Sequence, residues 1–250
     1  GFPPSFLARS DRASARWREH FVDAFLGRDL ADLGVSIPPE TMRRFWTMLA
    51  HYHGQTWNGS ELARAFGISH HTARRYLDLL AATFVVRVLQ PWHENVSKRQ
   101  VKSPKVYLAD SGLLHTLLGL PDRQALEGHP KVGASFEGFA LEQVVRRLGA
   151  QPHECHFWAT QSGAELDLLV VRGEERRAFE FKRTSTPRRT RSMLSAMETL
   201  SLDAIDVVHP GRDVFSIAEN VRGVGIERVL DAIEPLHDRS HPSGHFGLTR

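Results

Sequence analysis

The sequence predicts an α/β protein in two parts: a helical N-terminal module, then a unit with the order helix, three strands, helix, strand. Segments with apolar residues at helical spacing cover most of the first 82 positions. After residue 154 come short runs in which apolar and polar residues alternate, separated by turns. With 250 residues, 41% of them hydrophobic and 24% charged, the chain has enough apolar material for buried cores.

The N-terminal module begins with two helices. The first spans residues 10–32, with Ser10 or Asp11 as its N-cap and apolar side chains at helical spacing. The motif "GVSIPPE" interrupts this pattern. A second helix runs from Glu40 to Gly54, and glycine commonly follows the end of a helix.

A helix-turn-helix and two strands come next. Ser60 starts a short helix that Gly67 ends, and Ser69 caps a second helix. Strands at 83–92 and 103–112 enclose a polar, basic stretch. Two such helices and a basic hairpin are typical of a winged helix, so we predict a winged-helix-like module.

Basic side chains near this module and in the second unit are candidate nucleic-acid contacts. The net charge of +3 gives no argument for such binding, but basic residues are concentrated at 97–105 and 182–191. The candidates are Arg74, Arg75, Lys98, Arg99, Lys102, Arg183, Arg188 and Arg189. Two alternatives stay open: these clusters are ordinary solvated surface, or the module contacts only proteins.

The second unit starts with a helix at 134–148 whose apolar stripe contains an acid, Glu137. The elements expected after it are strands at 155–160, 164–171 and 177–183, a helix at 188–200 and a strand at 204–211.

Three acids and a lysine of this unit form a candidate site. Asp167 alternates with leucines along its strand and shares a face with Glu165, and Glu180 and Lys182 alternate with phenylalanines. If the two strands are neighbours, Asp167 and Glu180 converge, and Glu137 approaches them from the helix. Clustered carboxylates favour a hard divalent ion such as Mg²⁺. The alternative is a surface ion pair beside a solvated aspartate.

The motifs "SFEGFALEQV", "GAELDLLV" and "FEFK" resemble the core motifs of PD-(D/E)XK nucleases, which have a restriction-endonuclease-like fold. Over most of its length the chain resembles the C-terminal portion of AAA+ type ATP-binding proteins with domain of unknown function 4143. The resemblance implies catalytic roles for Glu137, Asp167, Glu180 and Lys182, with the three acids as ligands of Mg²⁺ or Mn²⁺.

We expect four regions. The resemblance implies the end of an upstream AAA+ module at 1–33 and a nuclease-like domain at 126–232. The helix and strand patterns predict the winged-helix-like domain at 34–125, and composition predicts a disordered tail at 233–250. The sequence has no G-x-x-x-x-G-K-[ST] motif, so we expect ATP to bind only in a module upstream of Gly1.

The expected function is metal-dependent hydrolysis of nucleic acid, with DNA favoured. The alternative is a module that keeps the nuclease fold and binds nucleic acid or protein without cleavage. The lone Cys155, short apolar runs and lack of a signal sequence indicate a cytoplasmic protein without a membrane span; its oligomeric state stays open.

Overall fold

Helices dominate the N-terminal part of the computed structural model, which describes residues 3–93 and 100–237. They are α1 (Pro3–Phe6), α2 (Asp11–Ala24), a π-helical turn (Phe25–Asp29), α3 (Leu30–Asp32), α4 (Pro39–His51), α5 (Gly59–Phe66) and α6 (His70–Ala82). The Ser10 hydroxyl accepts a hydrogen bond from the Ala13 N–H, which confirms Ser10 as the N-cap of α2.

The turn between α5 and α6 follows the predicted chemistry. Gly67 ends α5 with a left-handed φ of 62°, and the Ser69 hydroxyl accepts from the Thr72 N–H at 3.0 Å. The predicted start at Ser60 is wrong. The Asn58 side chain caps α5 instead, because its oxygen accepts from the Glu61 N–H and the helix already begins at the intervening glycine.

Among the described residues, one nine-stranded sheet joins this module to the second unit, in the order β1-β3-β2-β4-β5-β6-β7-β9-β8. Its strands are β1 (Gln55–Thr56), β2 (Val86–Pro91), β3 (Lys105–Leu108), β4 (Cys155–Ala159), β5 (Glu165–Arg172), β6 (Glu175–Phe181), β7 (Ile205–His209), β8 (Val214–Ala218) and β9 (Val221–Gly225). The remaining helices are α7 (Ser111–Leu117), α8 (Arg123–Glu127), α9 (Val132–Leu148), α10 (Arg191–Leu200) and α11 (Val229–Ala232).

Strand β2 links the two predicted parts of the protein. Its first four residues pair antiparallel with β3, and Gln90 and Pro91 pair parallel with β4. The backbone ladder is therefore continuous between the N-terminal hairpin and the second unit. The domain limits at residues 33, 125 and 232 stay predictions.

The elements from α9 to β7 follow the predicted order of helix, three strands, helix and strand. Strands β8 and β9 come after them and were not predicted. Their sequences explain this, because β8 is half-exposed at most positions and β9 contains Gly223 and Gly225, a residue type that weakens strand propensity.

The sheet is covered on both faces. Helix α9 packs on one face, where Leu141 and Val144 share a cluster with Phe179 and Phe181. Helix α10 packs on the other face through a second cluster that includes Met193 and Leu200. The strand acids Asp167 and Glu180 therefore lie in a sheet with little access to water, while Glu137 lies on α9.

The first residues of the predicted tail at 233–250 pack against the rest of the protein. Ile233 and Leu236 are buried, and the Leu236 N–H donates to the carbonyl oxygen of Leu148 at 3.0 Å. These two apolar side chains complete the cluster beneath α9. Residues 238–250 of the predicted tail lie outside the described residues.

Candidate functional site

Asp167 and Glu180 meet on adjacent strands. β5 and β6 pair antiparallel with Leu168 opposite Phe179, so the two acids are next along the ladder and their carboxyl groups share a hydrogen bond. The Phe181 N–H also donates to Asp167 Oδ2 at 3.0 Å. Asp167 is 5% exposed and Glu180 2% exposed, so the alternative of a solvated surface pair is wrong.

Lys182 contacts both acids from the solvent side. Its Nζ lies 2.6 Å from Glu180 Oε2 and 3.5 Å from Asp167 Oδ2. The lysine side chain keeps 39% of its surface exposed, unlike the acids below it. Lys182 thus joins two buried carboxyl groups to the surface of the protein.

Glu137 reaches the cluster from α9. Its Oε1 accepts a hydrogen bond from the Tyr107 hydroxyl at 2.6 Å and lies 3.6 Å from Lys105 Nζ. The same Nζ lies 3.8 Å from Asp167 Oδ1 and forms an ion pair with Glu165. Lys105 therefore connects the helix acid to the strand acids.

His53 fixes the position of α9. Its Nδ1 accepts from the Leu108 N–H at 2.9 Å, which leaves Nε2 as the donor to the carbonyl oxygen of Ala134 at 3.1 Å. Gly138 lies against this ring, and a Cβ there would overlap Nε2. Burial lowers the pKa of His53 to about 4, so the imidazole is neutral at pH 7.

Lys105 and Tyr107 were missed by the sequence analysis, which assigned no site role to the hairpin strand. The basic cluster at 97–105 is expected to be either solvated surface or a nucleic-acid contact, but Lys105 at its end is only 6% exposed and Tyr107 is fully buried. The alternation in "KVYL" is the signal that places both side chains on one face. Strand alternation does not tell whether that face points to solvent or to the core.

The surroundings of the cluster shift the pKa values of its acids in different directions. Burial, with Asp167 adding to it, raises the pKa of Glu137 to about 7 and raises the pKa of Glu180 well above its usual range. Burial alone would also raise the pKa of Asp167, but Lys182 and Lys105 hold it below its usual value. Asp167 is therefore the most firmly ionised of the three.

The donor set fits a hard divalent ion in its chemistry. Four carboxyl groups, from Glu137, Glu165, Asp167 and Glu180, face the ammonium groups of Lys105 and Lys182. Carboxylate oxygens are the ligands that Mg²⁺ and Mn²⁺ prefer. Within residues 3–93 and 100–237, however, no three His, Cys, Asp or Glu side chains form a ready-made metal site.

The candidate nucleic-acid contacts have different surroundings. Arg74 pairs with Asp78 at 2.8 Å, and Arg183 pairs with Glu127. Four further candidates are exposed: Arg75, Lys102, Arg188 and Arg189. Lys98 and Arg99 lie outside the described residues.

A groove of about 330 Å³ opens beside the acid cluster. Lys105 and Glu165 form part of its wall, together with Thr56 and Thr160. A larger cavity of about 760 Å³ lies elsewhere, where Asp206 and Arg222 on β7 and β9 pair with each other. Size alone therefore does not select the site, because the acid cluster adjoins the smaller groove.

Comparison with solved structures gives one weak likeness. The crystal structure of transcriptional regulator PA3341 aligns over 54% of this chain and 94% of that chain, with 22% identity and a TM-score of 0.23. At that TM-score the likeness supports no conclusion about fold or function. Among the described residues, no helix is both long and apolar enough to span a membrane.

Two curated mycobacterial proteins are similar in sequence. They are the uncharacterized protein Rv2008c of Mycobacterium tuberculosis and the uncharacterized protein Mb2031c of Mycobacterium bovis. Each is 53% identical over 230 residues, which is 92% of this chain and 52% of the relative. The chain therefore spans about half the length of these relatives.

Family models match both parts of the chain. Residues 1–124 match Domain of unknown function (DUF8612), which the sequence analysis did not anticipate. Residues 132–229 match Domain of unknown function (DUF4143), the domain that the resemblance predicted for a protein similar over most of the chain. This range contains the four predicted catalytic residues: Glu137 on α9, Asp167 on β5, Glu180 on β6 and Lys182 just after β6.

Proposed function

We propose that this protein hydrolyses phosphodiester bonds of nucleic acid, with DNA favoured, using Mg²⁺ or Mn²⁺ held by Glu137, Asp167 and Glu180. The observation that supports this most is the burial of Asp167 and Glu180 side by side beneath Lys182. Burying two acids with their lysine partners removes all of these charges from water, and the attraction between them does not always repay that cost in stability. Clustered buried ionisable groups of this kind are common at functional sites.

Each residue has a distinct role in this proposal. A bound divalent ion supplies positive charge for the phosphate oxygens and lowers the pKa of a water molecule. Lys182, whose side chain is 39% exposed, contacts the substrate side and stabilises the negative charge that develops on phosphorus-bound oxygens. Tyr107 holds Glu137 through its hydroxyl at 2.6 Å, which keeps the helix acid directed at the cluster.

The N-terminal module then positions the nucleic acid. The helix-turn-helix and hairpin support a winged-helix-like assignment, in which Arg75 and Lys102 contact phosphates. Arg188 and Arg189 are exposed in the segment between Lys182 and α10, and we assign them further phosphate contacts. By resemblance, we propose that an AAA+ module precedes this chain in the full protein and binds ATP.

Cleavage of supercoiled plasmid DNA tests the proposal. We expect Mg²⁺- or Mn²⁺-dependent nicking that falls at least about a hundredfold in Asp167→Asn and Lys182→Met, since each removes a charge needed in the transition state. Glu174→Gln is the matched control, because this exposed acid lies at the opposite end of the same hairpin. Equal nicking by all these variants would trace the activity to a contaminant.

A second candidate is a module that binds nucleic acid or protein without cleavage. It is favoured by the lysines, because Lys105 and Lys182 already contact all the carboxyl groups of the cluster. Metal-independent DNA binding, without nicking and without calorimetric binding of Mn²⁺, would support this candidate over the nuclease.

A further inference from the structure

Lys105 is the buried cation at the centre of the acid cluster. Its side chain is 7% exposed and contacts carboxylates on three sides: Glu137 on α9, and Glu165 and Asp167 on β5. Two of these acids, Glu137 and Asp167, are among the three proposed above as metal ligands. Lys105 therefore shares oxygen atoms with any ion bound by them.

We propose that the Lys105 ammonium group is the built-in counter-ion of this site and that it competes with the divalent ion for Glu137 and Asp167. This inference rests on the proposed metal-dependent function and adds a regulatory residue to it. Without the ion, Lys105 holds the acids together; with the ion, its Nζ moves away from Glu137 and Asp167.

Electrostatics make the two states mutually exclusive. A lysine ammonium and a divalent cation that contact the same carboxylate oxygens lie within a few ångströms of each other, where repulsion between charges is strong at low dielectric. Without an ion, the positive charge of Lys105 compensates the charge of the buried acids. Removing either partner of such a buried ion pair would leave an uncompensated charge.

The displaced side chain has a place to go. Lys105 lines the groove of about 330 Å³ beside the cluster, together with the polar residues Thr56 and Thr160. Glu165, its third partner, also lines this groove and keeps 42% of its side chain exposed. Lys105 can therefore keep its ion pair with Glu165 as it leaves Glu137 and Asp167.

Calorimetric titration with Mn²⁺ tests the competition. We expect Lys105→Met to bind Mn²⁺ at least about tenfold more tightly than the wild type, because a repelling charge is removed. Lys105→Arg keeps the charge and should bind as weakly as the wild type. Arg64→Met, which removes one exposed positive charge on α5, is the control and should also bind like the wild type.

A measurement on the unaltered chain covers the case in which Lys105→Met does not fold. Labelling of amines with a succinimidyl ester, mapped by peptide mass spectrometry, reports the accessibility of Lys105. We expect Lys105 to be protected in EDTA and to label several times faster in saturating Mn²⁺. The labelling of Lys102 should not change. Unchanged protection of Lys105 in the Mn²⁺-bound protein would overturn the inference.

The outcomes distinguish this inference from the proposed function. If the wild type and Lys105→Met bind Mn²⁺ equally, and Asp167→Asn abolishes binding in both, the metal site stands and the competition is wrong. If the wild type and Lys105→Met both fold and neither binds Mn²⁺, the competition and the metal-dependent function are both wrong.

Discussion

His53 shows how a single neutral side chain holds a helix that contributes to the site. Its two ring nitrogens join the Leu108 amide to the Ala134 carbonyl, so it ties β3 to α9. Protonation would turn the accepting nitrogen Nδ1 into a donor facing another N–H. The charged form is thus disfavoured by both burial and geometry.

The pH dependence of stability follows from this. The pKa of His53 falls from 6.5 to about 4 on folding, so between these values the unfolded chain binds a proton that the folded chain does not. The free energy of unfolding should therefore rise with pH across this window, by about 3 kcal/mol from His53 alone. Urea unfolding at pH 4.5, 5.5 and 6.5 measures the slope.

His53→Gln provides the comparison for that slope. Glutamine does not titrate and has both a donor and an acceptor, so the variant should lose most of the rise while other groups titrate as before. A slope as steep in His53→Gln as in the wild type would show that other groups produce it.

The sequence is informative about some site residues and silent about others. Strand alternation was enough to bring Asp167, Glu180 and Lys182 to one patch, because neighbouring β5 and β6 leave little freedom for their positions. Lys105 comes from β3, which precedes β5 by more than fifty residues. Its place depends on the pairing of β2 with β4, and no local pattern encodes that long-range contact.

At the scale of elements, α9 packs against His53, two residues after the end of α4. Gly138 makes this possible, because its missing Cβ leaves room for the His53 ring. Gly133 lies on the same helix with nothing within 4 Å of the place a Cβ would occupy. A substitution at Gly138 therefore tests close packing against His53, whereas a substitution at Gly133 tests helix propensity alone.

Alanine at these two positions should have opposite effects. Gly138→Ala is expected to lower the free energy of unfolding by about 1–3 kcal/mol, because the new methyl group must push His53 or α9 aside. Gly133→Ala should leave stability unchanged or raise it by up to about 1 kcal/mol through better helix propensity. Urea unfolding midpoints measure both changes. Equal shifts in both variants would mean that α9 has room to move.

Local sequence signals predicted helices better than sheet edges. Gly67 and Ser69 mark the ends of α5 and α6 through backbone chemistry that acts within four residues. The left-handed residue Asn220, with a φ of 59°, marks the turn between β8 and β9, but the strands themselves depend on pairing: β8 pairs with β9, and β9 pairs with β7. Tertiary context therefore decides the part of the sheet that the sequence left open.

At the scale of the whole molecule, contacts across the predicted boundary between residues 125 and 126 join both parts of the chain. Leu89 and Tyr107 belong to the hydrophobic cluster under α9, although they lie on the N-terminal hairpin. Arg87 adds a paired hydrogen bond to the buried Glu142, at 2.5 and 3.1 Å. The acid cluster itself needs β3 from one part and β5 and β6 from the other.

This continuity predicts that the described chain unfolds as one cooperative unit. Leu77 is fully buried in the N-terminal cluster and far in sequence from β5 and β6, so Leu77→Ala should destabilise that cluster by about 2–5 kcal/mol. If unfolding is cooperative, the most protected amides of β5 and β6 should exchange hydrogen faster by the same free energy. Native-state hydrogen exchange followed by mass spectrometry measures this. Faster exchange confined to residues 3–124 would instead mean that the two parts unfold independently, and the shared strand β2 would then be too weak to couple them.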